Sequence, residues 1–324
     1  MSQLTNTDKI NNPDAAWLYR LYSFWKFSRP HTIIGTSLSV WALYTIAIAF
    51  TSAGDFLFIL PLILAWFACL CGNIYIVGLN QLEDVEIDKI NKPDLPIAAG
   101  EFSYRQGQTI VIITGIFALF LATIGGPWLL ATVGISLLLG TAYSLPPIRL
   151  KRFPFWASFC IYTVRGVIVN LGLFLHSLWV LNQGSYLQPF DTLEIPPAIW
   201  ALTLFILLYT FAIAIFKDIP DIEGDRQYNI STFTIRLGAK AVFNLARWVL
   251  TGCYLGMVVA SWLWLPGVNP LLVAIAHLTA LAILWWRSFQ VDLESKIAIG
   301  QYYQFIWKFF FLEYLIFPTA CLLA

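Results

Sequence analysis

The chain contains 324 residues, of which 59% are hydrophobic and only 11% are charged, and its mean hydropathy is +0.74. This composition leaves too little polar surface to cover a water-soluble globule of this length, so it excludes a soluble protein and predicts residence in a lipid bilayer. The formal net charge of +1 carries no electrostatic signature of nucleic-acid binding. We therefore expect the chain to contact the lipid bilayer and no nucleic acid.

The chain begins with a polar stretch, MSQLTNTDKINNPD, which lacks the apolar core of a secretory signal peptide. An amphipathic run, AWLYRLYSFWKFSRP, follows, and its Trp, Tyr, Lys and Arg side chains are typical of the membrane surface. We predict that residues 1–30 form a cytoplasmic lead-in with an interfacial segment. Residues 31–324 are then expected to form a single transmembrane domain.

Apolar runs of about 20 residues, the length that crosses a bilayer as a helix, recur along the rest of the chain. They predict an all-α, polytopic membrane protein with nine transmembrane helices. The predicted spans are 31–50, 56–80, 106–125, 127–146, 155–177, 197–217, 241–263, 268–286 and 302–322.

The basic residues indicate the topology. Lys and Arg occur before span 1 and after spans 2, 4, 6 and 8, whereas the loops on the other side contain none. The positive-inside rule therefore predicts a cytoplasmic N-terminus and a C-terminus on the opposite side. Residues 88–100 and 225–238 also resemble each other in placement, because each stretch follows an Asp pair spaced by four and precedes the next span. This similarity predicts two four-helix repeats plus one added helix.

Polar side chains interrupt the end of the second predicted span. Asn80, Asp84 and Asp88 recur every four residues, so on a helix they share one face, and Asn73 lies close to the same line. A second group, Asp218, Asp221 and Asp225, follows the sixth span in the sequence KDIPDIEGD. Nine of the 18 acidic residues lie in the windows 83–94 and 218–225, which is unlike general surface solvation.

These two clusters indicate a metal site. Carboxylate and amide oxygens at a helix end are suitable ligands for Mg²⁺, which usually shares its coordination with phosphate. Lys217, Arg149, Lys151 and Arg152 fall on the same predicted membrane face, where they could bind the outer oxygens of a diphosphate. A substrate with a phosphorylated head and a long apolar tail fits such a site, with its tail among the spans.

The sequence NQLEDVEID at 80–88 resembles the first aspartate-rich motif of the UbiA superfamily of membrane prenyltransferases, although Gln81 stands where many members have Asp. The stretch from Tyr209 to Asp225 resembles the second motif. FSRPHTIIGTSLS, GTAYSLPPIRLKR and YYQFIWKFFFLEY resemble the branch that prenylates homogentisate. The resemblance implies nine helices around a central cavity, a diphosphate contact for Tyr209, and catalytic roles for Asp84, Asp88, Asp221 and Asp225.

The resemblance also implies a reaction. With Mg²⁺ as cofactor, a phytyl group would pass from phytyl diphosphate to the aromatic ring of homogentisate, which loses its carboxylate as CO₂. Geranylgeranyl or solanesyl diphosphate as donor, and 4-hydroxybenzoate or a chlorophyllide as acceptor, remain alternatives. The membrane would be the plasma or thylakoid membrane of an oxygenic phototroph, with the active site on the cytoplasmic side.

The acceptor would need a cation for its carboxylate, away from the bound phosphates. Arg165 is a candidate because a charge within a span usually faces a cavity or a partner, and Asn170 could assist it. Arg29 and His31 at the mouth of span 1 are alternatives, together with Asn73. These residues define the predicted acceptor site.

A cation-coupled transporter is the main alternative from another class. Transporter carboxylates lie near the membrane midplane at broken helices, whereas the present clusters lie at helix ends beside Lys and Arg. This placement favours an enzyme that handles phosphate.

Overall fold

The structure, a computed structural model, describes residues 13–51, 59–182, 194–217, 219 and 233–324. These parts of the chain contain helices and turns but no strand, so the all-α prediction is confirmed. The helices are α1 Pro13–Phe27, α2 Pro30–Thr51, α3 Ile59–Glu83, α4 Val85–Asn91, α5 Tyr104–Gly125, α6 Pro127–Ser144, α7 Pro154–Tyr162, α8 Val169–Leu181, α9 Pro197–Lys217, α10 Phe233–Leu237, α11 Ala239–Leu263, α12 Pro270–Ser288 and α13 Lys296–Leu322.

Nine helical runs in the described residues are long and apolar enough to cross a membrane, as predicted, and the protein is an integral membrane protein. Most bounds agree with the sequence to within a few residues. The ninth span differs most, because α13 begins at Lys296 rather than at 302. Ser295 caps this helix by accepting a hydrogen bond from the Ala298 amide, which lets the helix start before the apolar run does.

The described contacts divide the chain into two compact units. Unit 1 comprises Met1–Ser37 and Ile63–Cys160, and unit 2 comprises Leu38–Leu62 and Ile161–Ala324. The core of unit 1 lies beside the end of α3, where the first aspartate-rich motif is located. Its buried members are Phe27, Ile74, Leu79, Leu82, Ile97 and Val111.

The junction between α1 and α2 is fastened to α3 within unit 1. The Phe27 ring is fully buried and occupies a notch at Gly78, where a Cβ atom would lie 2.7 Å from Cζ of Phe27. Gly78 therefore has to lack a side chain for Phe27 to sit there. Two residues later Arg29 adopts a left-handed backbone conformation with φ of 52°, which is uncommon for a residue other than glycine.

Unit 2 has an aromatic core. The phenol ring of Tyr209 on α9 is fully buried against Tyr254 on α11 and Phe310 on α13, at centroid distances of 6.1 and 5.6 Å. A buried His277–Glu313 pair joins α12 to α13, with 3.2 Å between Nε2 and Oε2. Edge-to-face contacts between aromatic rings stabilise this core beyond the effect of the area that the side chains bury.

The fifth span is not a regular helix. The sequence predicts a continuous helix over 155–177, whereas the structure inserts a π-helical segment, Thr163–Ile168, between α7 and α8. Gly166 allows this segment to pack closely on α9, because a Cβ at that position would lie 2.3 Å from Cδ2 of Leu207. Arg165 lies within the segment.

Candidate active site

The first aspartate-rich motif bridges the end of α3 and the start of α4. Asp84 separates the two helices with φ of −113° and ψ of 18°, but the helical hydrogen bonds continue across it. The Asp84 amide donates to the Asn80 carbonyl at 3.1 Å, and the Asp88 amide donates to the Asp84 carbonyl at 2.7 Å. The polar side chains therefore keep the four-residue spacing that the sequence predicts.

The Asp84 carboxylate is held between two basic residues. Arg149 Nη2 lies 3.0 Å from Oδ1 and Lys151 Nζ lies 2.7 Å from Oδ2, while Asn80 Nδ2 donates to Oδ2 at 3.1 Å. Burial lowers the pKa of Lys151, although its hydrogen bond to Asp84 opposes this shift. Of the predicted diphosphate ligands, the structure brings Arg149 and Lys151 to the motif and leaves Arg152 exposed.

Arg29 also reaches this motif, where its Nη2 donates to Asn80 Oδ1 at 3.4 Å. The Arg29 carbonyl accepts from Thr32 Oγ1 at 2.8 Å, and Asn73 Nδ2 donates to that same hydroxyl at 2.9 Å. Burial lowers the pKa of Arg29, and the nearby Asp88 opposes that effect. The sequence predicts Arg29 and Asn73 for the acceptor, which stays a prediction; in the structure Arg29 lies beside Asn80, and Asn73 supports the turn that carries Arg29.

Asp88 has the features expected of a metal ligand. Its side chain is 5% exposed, and no described residue provides a hydrogen bond to Oδ2. Burial raises the pKa of this carboxyl group. A buried carboxylate oxygen without a partner, next to the oxygens of Asn80 and Asp84, fits a hard cation such as Mg²⁺.

The charges around the motif favour an anionic ligand as well. Arg29, Arg149 and Lys151 place three positive charges around the two carboxylates of Asp84 and Asp88. Two of the three cations come from residues with left-handed backbone conformations, Arg29 and Arg149. Such strain costs about 1–3 kcal/mol per residue and clusters at functional sites.

The second aspartate-rich motif begins where α9 ends. Lys217 is the last residue of that helix and is exposed, whereas Asp218, Asp221 and Asp225 lie outside the described residues. Within the described residues no three His, Cys, Asp or Glu side chains form a metal centre by themselves. Tyr209 is buried two turns before Lys217, and its hydroxyl donates to the Ile306 carbonyl at 3.1 Å, so its contact with a diphosphate stays a prediction.

The remaining candidates for the acceptor site are Arg165, Asn170 and His31, and their side chains differ in contacts and burial. The Arg165 guanidinium lies 5.0 Å from the ring centroid of Trp307. Asn170 is fully buried, and its amide is used within the protein, since Nδ2 donates to the Gly166 carbonyl and Oδ1 accepts from the Tyr314 hydroxyl. His31 is exposed near the start of α2.

Gln81 is a residue whose role the sequence did not reveal. Its side chain is buried, and Nε2 donates to the carbonyl of Phe27 at 2.8 Å and to that of Val77 at 3.3 Å. Gln81 follows Asn80 by one position and therefore points about 100° away from the metal-binding line. Its position off that line is the feature of the sequence that could have shown that Gln81 does not bind the metal ion. In the structure it binds backbone carbonyl groups instead.

The fold and the site define an integral membrane protein that gathers carboxylate and basic side chains at the end of a membrane-spanning helix. The chain belongs to the UbiA prenyltransferase family, whose model matches residues 39–309. The family indicated by the aspartate-rich motifs and the prediction of a prenyltransferase are thereby confirmed.

Similar proteins are known from phototrophs. Homogentisate phytyltransferase of Synechocystis sp. is 54% identical over 307 residues, which cover 93% of this chain and 96% of the relative. Homogentisate phytyltransferase 1, chloroplastic, of Arabidopsis thaliana is 40% identical, with 95% of this chain and 77% of the relative covered. A UbiA homolog from Archaeoglobus fulgidus, solved with GPP and Mg²⁺, has the same fold at 16% identity, with a TM-score of 0.59 and coverage of 93% and 100%.

Proposed function

We propose that this protein transfers the phytyl group of phytyl diphosphate to the aromatic ring of homogentisate in a Mg²⁺-dependent reaction. The observation that carries this proposal is the buried Oδ2 of Asp88, to which no described residue donates, in the same motif as Asn80 and Asp84, with Arg149 and Lys151 bound to Asp84. It combines oxygen ligands for a cation with positive charge for a diphosphate.

Asn80, Asp84 and Asp88 would hold the metal ion. When bound, Mg²⁺ supplies Lewis-acid stabilisation of the diphosphate as it leaves. The carboxylates of Asp218, Asp221 and Asp225 are proposed to assist, on the strength of the motif alone. Asp84 would hold the ion with the oxygens that now accept from Arg149 and Lys151, and the two cations would then be available to phosphate oxygens.

The basic side chains have complementary tasks. The forked guanidinium groups of Arg29 and Arg149 suit two phosphate oxygens each, while Lys151 and Lys217 act as point charges. Arg29 is proposed for the diphosphate rather than for the acceptor, because its guanidinium lies against Asn80. Charge-assisted hydrogen bonds of this kind are about twice as strong as neutral ones.

The proposed reaction breaks the allylic C–O bond of phytyl diphosphate, and the diphosphate departs with the electron pair. A ring carbon of homogentisate forms the new C–C bond and releases its proton. The bond between the side-chain methylene and the carboxylate breaks to give CO₂, and the methylene carbon takes up a proton to become a methyl group. Apolar spans exclude the water that would otherwise capture the allylic cation.

The choice of phytyl diphosphate and homogentisate is supported by the two relatives reported above, since both carry the name homogentisate phytyltransferase. Their sources, a cyanobacterium and a chloroplast, support a plasma or thylakoid membrane of an oxygenic phototroph. The one-sided distribution of Lys and Arg supports a cytoplasmic N-terminus and active site.

The test is a transfer assay with purified protein in detergent. Phytyl, geranylgeranyl and solanesyl diphosphates are each combined with homogentisate or 4-hydroxybenzoate, and products are identified by mass spectrometry. We expect the highest kcat/KM for phytyl diphosphate with homogentisate, and no product after chelation of Mg²⁺. A higher kcat/KM for another pair, or transfer that persists in EDTA, would overturn the proposal.

A further inference from the structure

Arg165 is a cation at membrane depth that has no counter-ion among the described residues. It lies in the fifth span, ten residues after Phe155, where that span begins. Among the described residues no carboxylate pairs with its guanidinium and none hydrogen-bonds to it; its contacts are with the faces of Trp307 and Phe310. A charge inside a membrane is expensive and normally serves a partner or a ligand.

Arg247 is a second arginine of the same unit, and both of its terminal nitrogens are hydrogen-bonded within the protein. Its guanidinium lies 4.6 Å from the ring centroid of Trp285, much as Arg165 lies on Trp307. Arg247, however, also donates to Ser288 Oγ at 3.1 Å and to Asn244 Oδ1. Arg165, by contrast, donates to no acceptor among the described residues, which leaves its hydrogen-bond donors available to a ligand.

The surface opposite Arg165 is aromatic. Tyr303, Trp307, Phe310 and Tyr314 recur at intervals of four, three and four residues, so they share one face of α13, here called the aromatic wall. Trp307 and Phe310 meet edge to face at 5.5 Å, and Phe310 and Tyr314 at 5.8 Å. An arginine that stacks on a ring by its face keeps its in-plane N–H groups available for an anion.

The π-helical segment Thr163–Ile168 places Arg165 at the aromatic wall. Asn170 Nδ2 donates to the Gly166 carbonyl at 2.7 Å, and its Oδ1 accepts from the Tyr314 hydroxyl at 3.0 Å. Asn170 therefore fastens the segment to the wall and acts as a positioning residue rather than as a ligand. π-helical turns within α-helices are frequent at functional sites.

We propose that Arg165 and the aromatic wall bind the acceptor: the guanidinium holds its carboxylate, and Tyr303 and Trp307, the partly exposed members of the wall, pack against its ring. This inference rests on the proposed function. The phytyl tail has no charge for Arg165 to bind. The diphosphate already has its proposed ligands, Arg29, Arg149 and Lys151, at the first motif. A flat aromatic acid has a carboxylate for Arg165 and a ring for the aromatic wall.

The test compares two acceptors that differ only in the carboxylate, homogentisate and 2-methylhydroquinone. Binding of each is measured by equilibrium dialysis on the purified protein, and KM values are measured in the transfer assay. Arg165→Gln should weaken homogentisate about 10- to 100-fold, the loss of charge-assisted hydrogen bonds, and leave 2-methylhydroquinone and the KM for phytyl diphosphate unchanged. Arg165→Lys should restore part of the loss, because it keeps the charge without the fork.

Arg247→Gln is the matched control, since it removes a second arginine that lies on a tryptophan and should leave both acceptors unaffected. Equal weakening of the two acceptors by Arg165→Gln, or none, would overturn the inference. A variant that fails to fold is replaced by Arg165→Lys, for which an unchanged affinity ratio between the acceptors is the contrary result. Absence of phytyl transfer by the wild type would contradict the proposed function instead, and dialysis would still decide whether Arg165 binds the aromatic acid.

Discussion

Gln81→Leu should weaken binding of the prenyl diphosphate although Gln81 is not among the proposed metal ligands. The buried Gln81 amide donates to the Phe27 carbonyl at 2.8 Å, two residues before Arg29. Arg29 in turn donates to Asn80 Oδ1. Leucine has a similar size but no donor, so the substitution releases the backbone that positions Arg29.

The structure sets the size of the effect. A buried acceptor that loses its partner costs about 1–3 kcal/mol, which corresponds to about 5- to 150-fold in an equilibrium constant. The Phe27 ring remains in its notch at Gly78 and limits the movement of the junction. We therefore expect the low end of the range, a loss of about 5- to 10-fold in affinity for the diphosphate.

The assay is a double-mutant cycle on the binding of a non-reactive phytyl thiodiphosphate in the presence of Mg²⁺. If Gln81 acts through Arg29, Gln81→Leu should add nothing to the effect of Arg29→Gln. Gln106→Leu is the control, because it removes an exposed capping-box residue of α5 whose hydrogen bonds are to Ser103 and not to the motif. Additive losses in the double variant, or a matching loss in the control, would refute the reasoning.

Three further predictions concern the notch at Gly78, the basic side chains at Asp84 and the topology. Gly78→Ala should lower the free energy of unfolding by about 1–3 kcal/mol through overpacking against Phe27, measured by thermal unfolding in detergent, whereas Gly134→Ala meets open space and should not. Lys151→Gln should raise the KM for phytyl diphosphate about tenfold or more, while substitution of the exposed Arg152 by Gln should change it little. Equal effects of the two substitutions would contradict a role for Lys151 in binding the diphosphate. A topology reporter fused after Arg152 should lie on the cytoplasmic side, and one fused at the C-terminus should lie on the opposite side. Location of both reporters on the same side would contradict the predicted topology.

The sequence predicts the spans well because a membrane helix is recognisable as an apolar run of about 20 residues. The contacts of Asp84 with Arg149 and Lys151 could also be predicted, since the motif spacing and the positive-inside rule place all three residues on one side of the membrane. The internal repeat stays a prediction. Helix bounds differed where a cap such as Ser295 intervened, since capping depends on local hydrogen bonds rather than hydropathy.

Other features could not be predicted because they depend on contacts between distant parts of the chain. Arg29 meets Asn80 across 51 positions, and no local pattern encodes that meeting. The π-helical segment around Arg165 also has no signature in composition. The segment depends on contacts that the sequence does not show, namely the packing of Gly166 on Leu207 and the hydrogen bond from Asn170 to the Gly166 carbonyl.

The central claim is that the motif around Asp88 holds the Mg²⁺ that activates the diphosphate. It is tested most directly by the rate of phytyl transfer to homogentisate as a function of Mg²⁺ concentration, for the wild type and for Asp88→Asn. We predict that Asp88→Asn reaches the membrane in normal amount but loses about 100-fold or more in turnover, since Lewis-acid stabilisation is worth several kcal/mol. Turnover close to that of the wild type at saturating Mg²⁺ would contradict the claim.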